Sequence, residues 1–354
     1  MTAVPVRELG PGELAEAGAP ASASRGTSHA GAVSIDRFLA PDHPFLRVGT
    51  WRAFVASDDG ADVRVVASLD PRQRDDLGGQ RGAIGFVLEH GDPRASARPM
   101  RAALAAAEAW LSARGGTVVR CPVQFSTWFG HRVMTDGFQA SGGPALFPME
   151  PGPSPSLARA LPAAGYRVAH TAGSYAVEVE RWIAETRRGE DAMLAAGYRN
   201  RPLRLERLDE ELSTLHAICQ ASFTRSWGFS PIGLDEFQSI YRPLVSLVDP
   251  EFVRILETPG GEPVGFAFAF PEPAPLEGFA PRFVAKTVAV LPEVRRKAPG
   301  IGTGLTVAVY RIAAARGYRV AVHACVADGA YTQRISASWG TRFRTYTTYE
   351  KVLG

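Results

Sequence analysis

Two segments of the chain, about 200 residues apart, repeat one pattern, and this repeat constrains the fold more than any other feature. In residues 112–120 and again in 314–322, a helix ends in Ala-Arg, stops at a glycine suited to a left-handed backbone, and leads into a β-branched strand. Each helix follows an apolar strand, at about 83–89 and about 283–291. A repeat of this length is too long for a solenoid and predicts two tandem domains of one fold.

The order of the predicted elements indicates the fold class. Strands alternate with helices, but less regularly than in a doubly wound sheet. The sequence therefore predicts an α/β (α+β) fold in which each domain has a mixed β-sheet flanked by helices. Residues 1–34, rich in Ala, Gly, Ser and Pro, are predicted to lack fixed structure. A polar stretch near 187–200 separates a first domain, 35–190, from a second, 200–354.

Composition excludes several classes of partner. The 39 basic and 36 acidic residues leave a net charge of +3, which gives no reason to expect nucleic acid or an anionic membrane. No apolar run approaches the ~18 residues of a membrane span, and the N-terminal segment has no apolar core of a secretory signal. Cys121, Cys219 and Cys325 fit neither a disulfide framework nor a metal site. We therefore expect free thiols, no metal and a cytoplasmic protein.

The segment 286–305 predicts an anion-binding site. An apolar strand leads through Pro292 into three consecutive bases, then into three glycines at alternate positions, and then into an amphipathic helix. The free N–H groups and the dipole of a helix N-terminus favour a negatively charged ligand, and glycines allow the backbone to approach it closely. A phosphate-bearing ligand is therefore expected here.

Two common phosphate sites do not fit this segment. A Walker loop requires a lysine directly after its last glycine, and none follows Gly304. A dinucleotide fingerprint requires a further glycine and an acidic residue about 20 positions later, and residues 318–322 contain no acid. The Gly-x-Gly element alone is weakly specific, so the residues before it have to identify the ligand.

Residues 290–295 (Val-Leu-Pro-Glu-Val-Arg) and 297–302 (Lys-Ala-Pro-Gly-Ile-Gly) carry a more specific pattern. They resemble the acetyl-CoA loop of the GCN5-related N-acetyltransferases (GNATs), in which V-x-P-E-x-R is followed by [Q/R]-x-x-G-x-G/A and a helix. Lys297 stands where the family has Gln or Arg, and the loop is slightly longer. The resemblance covers about 203–354 well and extends weakly over about 35–179, so it implies two tandem GNAT-like domains, each with a splayed sheet.

The resemblance also implies which residues bind the donor. In the family, loop amides and bases hold the CoA phosphates, and the splayed strand pairs with the pantetheine arm and polarises the thioester carbonyl. The residues carried over are Val288, Ala289, Val290, Arg295, Arg296, Lys297, Gly300, Ile301, Gly302, Thr303 and Gly304. The first copy has residues 91–98 at the loop position, with an acid and no Gly-x-Gly, so it is expected not to bind CoA.

The catalytic residues are less well defined by the resemblance. It implies direct attack of an unprotonated amine on the thioester, with a base for the amine and an acid for the sulfur. The family often has a tyrosine four residues before the glycine that ends the last short helix; counting back from Gly340 gives Ser336, and Tyr331 lies more than one turn earlier. The candidate bases are His323 and Glu272. Alternatively, His323 is a hydrogen-bonded core histidine and Tyr331 serves helix packing.

The resemblance thus predicts an acyl-CoA-dependent N-acyltransferase. Acetyl-CoA is the expected cosubstrate and a small-molecule primary amine the acceptor, in a monomer or homodimer. The tandem build and the high Ala, Arg and Gly content suit an enzyme of specialised metabolism or resistance. Two alternatives stay open. The donor could be a longer acyl-CoA or an acyl carrier protein, or the chain could be a non-catalytic acyl-CoA-binding sensor or scaffold.

Overall fold

The computed structural model of the protein describes residues 3–16, 35–92, 94–137, 146–272 and 281–354. The strands are β1 (Val6–Leu9), β2 (Thr50–Asp58), β3 (Ala61–Arg74), β4 (Gln80–Gly91), β5 (Gly116–Cys121), β6 (Val133–Asp136), β7 (Arg167–Glu178), β8 (Arg199–Pro202), β9 (Val253–Glu257), β10 (Pro263–Pro271), β11 (Arg282–Val290), β12 (Val320–Ala327) and β13 (Gly340–Val352). The α-helices are α1 (Pro11–Glu16), α2 (Ala97–Ser112), α3 (Pro155–Ala163), α4 (Val179–Ala195), α5 (Leu208–Ser222), α6 (Leu234–Tyr241), α7 (Pro292–Lys297), α8 (Ile301–Ala315) and α9 (Tyr331–Trp339). Within these ranges no helix is both long and apolar enough to span a membrane.

The chain forms two compact units. The first unit comprises Met1–Thr171 together with Tyr346–Gly354, and the second comprises Ala172–Thr345. Each unit contains one copy of the strand–helix–strand pattern seen in the sequence, β4-α2-β5 in the first and β11-α8-β12 in the second. The predicted mixed sheets flanked by helices are therefore present in both units.

The sheet of the first unit has the strand order β1-β2-β3-β4-β5-β13. Neighbouring strands are antiparallel, except that β4 and β5 are parallel, as a strand–helix–strand crossover requires. Helix α2 presents Met100, Leu104 and Leu111 to the core, where they meet the buried side chains of β3 such as Val63 and Val65. These apolar residues recur at helical and strand spacing respectively, which is why the two elements form here.

The sheet of the second unit has the strand order β7-β12-β11-β10-β9-β8. Its strands are antiparallel apart from the parallel pair β11 and β12. Helices α4 and α8 pack against each other. The core of this unit contains Trp182 of α4, Leu305 and Tyr310 of α8, and Phe283 of β11.

The predicted domain boundaries differ from the observed units at two strands. Residues 172–178 of β7 pair with β12, so they belong to the second unit although they end the first sequence repeat. Residues 349–352 of β13 pair with β5, so the end of the second repeat belongs to the first unit. Sequence similarity identifies a strand but does not say which sheet it joins, because pairing across long sequence separations leaves no local signal.

The prediction that residues 1–34 lack fixed structure is wrong for the first part of that range. Val6–Leu9 is the edge strand β1, with Val6 opposite Ala56 of β2, and Pro11–Glu16 forms α1. Leu9 and Leu14 are buried, which explains why this Ala- and Gly-rich segment is held in place. Residues 17–34 lie outside the described part of the chain.

Candidate functional site

The parallel strands β11 and β12 of the second unit separate part-way along their length. They pair only where Arg282–Ala285 lies beside Val320–His323, and the described residues show no pairing beyond that point. The register of β11 on β10 skips Lys286, so a β-bulge coincides with the point of separation. The later part of β11, Thr287–Val290, therefore borders an opening between the two strands, as the predicted splayed strand requires.

The three consecutive bases lie in a short helix and not in the predicted loop. Arg295, Arg296 and Lys297 form the last turn of α7, where the helix dipole favours cations. All three side chains are exposed, and none takes part in an ion pair among the described residues. Their charges are thus available next to the loop at residues 298–300, which leads directly into α8.

The glycines around the start of α8 serve three different purposes. Gly300, the N-cap residue of α8, has a left-handed φ of +87° that disfavours any other residue. A Cβ on Gly304 would lie 2.5 Å from the carbonyl oxygen of Gly189, so this glycine permits the close contact of α8 with α4. A Cβ on Gly302 would meet nothing closer than Val288 and Val290, at 3.9 Å. Gly302 is therefore the one of the three that the protein's own packing does not require.

The first amides of α8 are available to a ligand. No side chain caps this helix, and the hydroxyl of Thr303 donates to the carbonyl oxygen of Gly300 at 2.7 Å. The first α-helical bond of α8 is made by the N–H of Gly304 to Gly300, at 2.9 Å. The N–H groups of Gly302 and Thr303 precede it and have no acceptor within the helix. Both residues are partly exposed, so a phosphate could reach these groups.

A groove of about 430 Å³ opens beside the start of α8. Its walls come from α4, from the loop with the first turn of α8, and from α9. The residues concerned are Glu185, Thr186, Arg188, Gly189 and Ala192, then Pro299, Gly300 and Thr303, and then Tyr331, Ile335 and Trp339. All of them belong to the second unit. A groove of this size is within the range of small-molecule sites, about 300–1,000 Å³.

His323 is buried between two hydroxyl groups. Its Nε2 is hydrogen-bonded to the hydroxyl of Tyr310, and its Nδ1 lies 2.7 Å from Oγ of Ser336. Because Ser336 donates its only hydroxyl proton to the carbonyl oxygen of Thr332 at 2.8 Å, Nδ1 must donate to Ser336 and Nε2 must accept from Tyr310. The ring of Trp182 packs edge-on against the imidazole at 4.7 Å. With both ring nitrogens occupied, His323 fits the alternative of a core histidine better than that of a base.

Burial of His323 should make stability depend on pH. Desolvation lowers the pKa of His323 from 6.5 to about 4, so the folded protein keeps a neutral imidazole where the unfolded chain takes up a proton. The contribution of His323 to stability is therefore complete above pH 6.5 and is lost as the pH falls towards 4. Relative to His323→Gln, the wild type should lose roughly 3 kcal/mol of unfolding free energy across that interval.

Urea unfolding at a series of pH values measures this difference. Wild type and His323→Gln contain the same carboxylates, so the difference between their slopes isolates the imidazole. Equal slopes in the two proteins would contradict the assignment of a neutral, buried His323. The variant itself is expected to be less stable at neutral pH, because one hydroxyl partner loses its bond.

The other three predicted catalytic residues lie in different surroundings. Ser336 is buried and bonded to His323 and Thr332, as described above. Glu272 forms an ion pair with Arg282, with one contact at 2.7 Å, and both side chains are largely buried. Tyr331 is 62% exposed at the first position of α9 and lines the groove together with Gly300 and Thr303. Of the four predicted catalytic residues, Tyr331 is thus the one that lines the groove at the start of α8.

The corresponding opening in the first unit is closed by the chain itself. Strands β4 and β5 pair in parallel only as far as Ala83, but the N–H of Val123 then bonds to Ile84 at 2.8 Å. A Cβ on Gly85 would lie 2.3 Å from the carbonyl oxygen of Val123. The ring of Phe125, in the segment after β5, packs against Phe86 of β4 at 4.8 Å between centroids. In the first unit the chain itself therefore occupies the position that is open between β11 and β12 in the second. That the first copy does not bind CoA stays a prediction.

Sequence reasoning missed the contribution of α4. This helix follows the last strand of the first repeat, outside the region that carries the GNAT pattern, yet it supplies Trp182 to the core and Arg188 to the groove. The one available signal was Gly189, because a glycine inside a charged helix often marks a close approach of two backbones. For metals, the described residues contain no group of three or more His, Cys, Asp or Glu side chains that could hold an ion.

Two curated proteins match part of the chain at low sequence identity. No protein-family model matches the chain. Protein YghO of Escherichia coli K12 is 24% identical over 217 residues, which are 58% of this chain and 52% of that protein. A bacterial ceramide synthase of Caulobacter vibrioides is 26% identical over 228 residues, 64% of this chain and 57% of that protein. The chain thus spans little more than half the length of these curated relatives.

A solved structure agrees over the whole chain. The tandem GNAT protein from the clavulanic acid biosynthesis pathway superposes on 99% of both chains, with a TM-score of 0.51 and 14% sequence identity. At this identity the likeness concerns the fold and not the activity. The protein has a tandem GNAT fold, which confirms the prediction made from the repeat and the loop.

Proposed function

We propose that the protein is an acyl-CoA-dependent N-acyltransferase that transfers an acyl group, acetyl in the first instance, to the primary amine of a small molecule. The proposal depends on the combination of groups found at the start of α8. There, two amides without a helical acceptor, a Gly302 that the protein's own packing does not require, and three bases with no ion pair in the described part of the chain adjoin the separated strands β11 and β12. This combination suits a ligand with phosphates at one end and an amide-containing arm that can pair with a strand edge.

The residues present fit CoA in their chemistry. The amides of Gly302 and Thr303 and the bases Arg295 to Lys297 would hold its phosphates. The edge of β11 that borders the opening beyond the bulge would pair with the pantetheine amides, and an N–H there would stabilise the oxyanion. Bound as a thioester, the cosubstrate supplies an activated acyl group and a thiolate leaving group.

The proton transfers place modest demands on the protein. A thiol has an ordinary pKa of about 8.5, so the thiolate can leave without a strong acid. The amine must be neutral when it attacks, which a base or a chain of water molecules can achieve. The internal bonds of His323, Ser336 and Glu272 favour structural roles for these residues. Water is therefore the simplest proton acceptor consistent with the geometry.

A second candidate acceptor is a long-chain amino alcohol. The relative named bacterial ceramide synthase favours it, because a ceramide is the amide of a fatty acid and such an amine. The match covers 64% of this chain, more than either repeat alone would account for. This candidate pairs naturally with a longer acyl-CoA as donor, while the transfer chemistry is unchanged.

Measurement of binding and turnover in parallel tests the proposal. Calorimetry with acetyl-CoA and a long-chain acyl-CoA should detect binding, and release of free thiol should rise when a suitable amine is added. The amine panel includes polyamines, amino sugars and a long-chain amino alcohol. Binding without thiol release from any amine or donor would support the sensor alternative. The absence of binding to every acyl-CoA would overturn both readings.

A further inference from the structure

Arg81, near the start of β4, carries a largely buried guanidinium group. Its side chain is 13% exposed, and its Nε atom is shielded from solvent and has no hydrogen-bond partner. Among the described residues Arg81 forms two long ion pairs, with Glu350 at 4.0 Å and with the fully exposed Asp76 at 3.9 Å. A buried charge normally makes short hydrogen bonds, because its lost hydration is otherwise not replaced. The burial of Arg81 therefore requires closer acceptors than these two carboxylates.

Arg201 of the second unit shows the usual arrangement of such a group. Its side chain is buried to a similar degree, yet it donates to Glu257 at 2.6 Å and to Glu211 at 3.0 Å. For Arg81, burial and then the neighbouring charge of Arg120 lower the pKa, although the nearby carboxylates oppose this change. The chain thus gives Arg81 less stabilisation than it gives Arg201, and this difference points to an anionic ligand.

Arg81 and Arg120 lie on the same face of the first sheet. The residues next to them face α2, because a Cβ on Gly82 would lie 2.8 Å from a leucine of that helix and Val119 belongs to the core that α2 covers. Side chains alternate along a strand, so both arginines lie on the opposite face. Arg120 stands opposite Glu350 of β13 and donates to it at 2.8 Å. Two guanidinium groups therefore share this one carboxylate on their face of the sheet.

An apolar strip adjoins Arg81 on this face. The strand register places Arg81 beside Val118 of β5, and Val118 opposite Val352 of β13. Because side chains alternate, both valines lie on the face that carries the two arginines. Val118 is half-buried, and Val352 is 76% exposed. The face thus combines a positive charge with an accessible apolar surface, at the paired ends of β4 and β5 and not where these strands separate.

We infer that Arg81 and Arg120 bind the carboxylate of a small organic acid, with its apolar chain along Val118 and Val352. The planar guanidinium group pairs with a carboxylate through two parallel hydrogen bonds. The two arginines and Glu350 together carry one net positive charge, which a carboxylate neutralises, whereas a phosphate dianion would leave a net negative charge. All of these residues belong to the first unit, so the inference does not depend on the proposed acyl transfer.

Calorimetry on the full chain at constant ionic strength tests this site with acetate, hexanoate and inorganic phosphate. Hexanoate should bind roughly tenfold more tightly than acetate, because its chain contacts the apolar strip, and phosphate should bind most weakly. The Arg81→Met variant should bind both carboxylates at least about tenfold more weakly, because a charge-assisted hydrogen bond is lost. Arg74→Met, at an exposed arginine of the same hairpin, is the matched control and should leave all affinities unchanged.

Thermal unfolding separates a binding role of Arg81 from a structural one. Without an added anion, Arg81→Met should melt at the same temperature as the wild type or higher, because an apolar side chain of similar length replaces a poorly bonded buried charge. Hexanoate should raise the melting temperature of the wild type and not that of the variant. A wild type that binds no carboxylate, or that prefers phosphate, would overturn the inference. Equal affinities for acetate and hexanoate would overturn the role of the apolar strip.

Discussion

A fragment comprising residues 200–354 should fail to fold, whereas a fragment comprising residues 172–345 should fold cooperatively. The first follows the boundary suggested by sequence similarity, and the second follows the observed unit. The 200–354 fragment lacks the second half of β7 and all of α4. These segments bury large side chains in the core of the second unit, namely Tyr175, Val177, Val179, Trp182 and Met193.

The size of this effect follows from burial. Each of these side chains contributes about 1.5–3 kcal/mol when removed from water, so their loss amounts to roughly 10 kcal/mol. That is comparable to the whole stability of an ordinary domain, about 5–15 kcal/mol. Removal of residues 172–178 would also leave β12 without its antiparallel neighbour, as an unprotected edge.

Circular dichroism and urea unfolding of the two fragments measure the difference. The 172–345 fragment should show a single cooperative transition, and the 200–354 fragment should show none. Cooperative unfolding of the 200–354 fragment would mean that α4 and β7 are dispensable, in contradiction to the packing described here. The two fragments are similar in length, so chain length does not account for the contrast.

The same substitution at two neighbouring glycines should have opposite effects. In Gly302→Ala, the new methyl group meets Val288 and Val290 at an ordinary contact distance of 3.9 Å, and replacing a helical glycine should stabilise the fold by about 0.5–1 kcal/mol. In Gly304→Ala, the methyl group would lie 2.5 Å from the backbone of Gly189. The helices must then move apart, at an expected cost of about 1–3 kcal/mol.

Gly302→Ala should weaken the binding of CoA although it stabilises the fold. The methyl group of Gly302→Ala occupies the space where a phosphate would approach the amides of Gly302 and Thr303. Loss of two charge-assisted hydrogen bonds corresponds to about 3–6 kcal/mol, or at least about 100-fold in affinity. Thermal unfolding and calorimetry on each variant test this pairing. A Gly302→Ala protein that is stable and binds CoA normally would show that the amides of Gly302 and Thr303 do not hold the CoA phosphates.

The sequence was sufficient for the local features of the fold. The strand at about 283–291, the glycines and the helix after them occur as predicted, because turn chemistry and apolar periodicity are encoded within a few residues. Features that depend on distant partners could not be predicted. The reason for Gly304 lies in α4, more than 100 residues earlier, and the role of His323 depends on hydroxyl groups from two other helices.

The sheet membership of β13 has a consequence for synthesis of the protein. The ribosome makes β5 about 230 residues before the residues of β13 that pair with it, which at about 5–20 residues per second is a delay of roughly 10–45 s. Throughout this time the nascent first unit exposes one open strand edge, a ready template for pairing with another chain. Production in cells should therefore depend on chaperones that bind nascent chains, and slow translation of the second half should lower the yield.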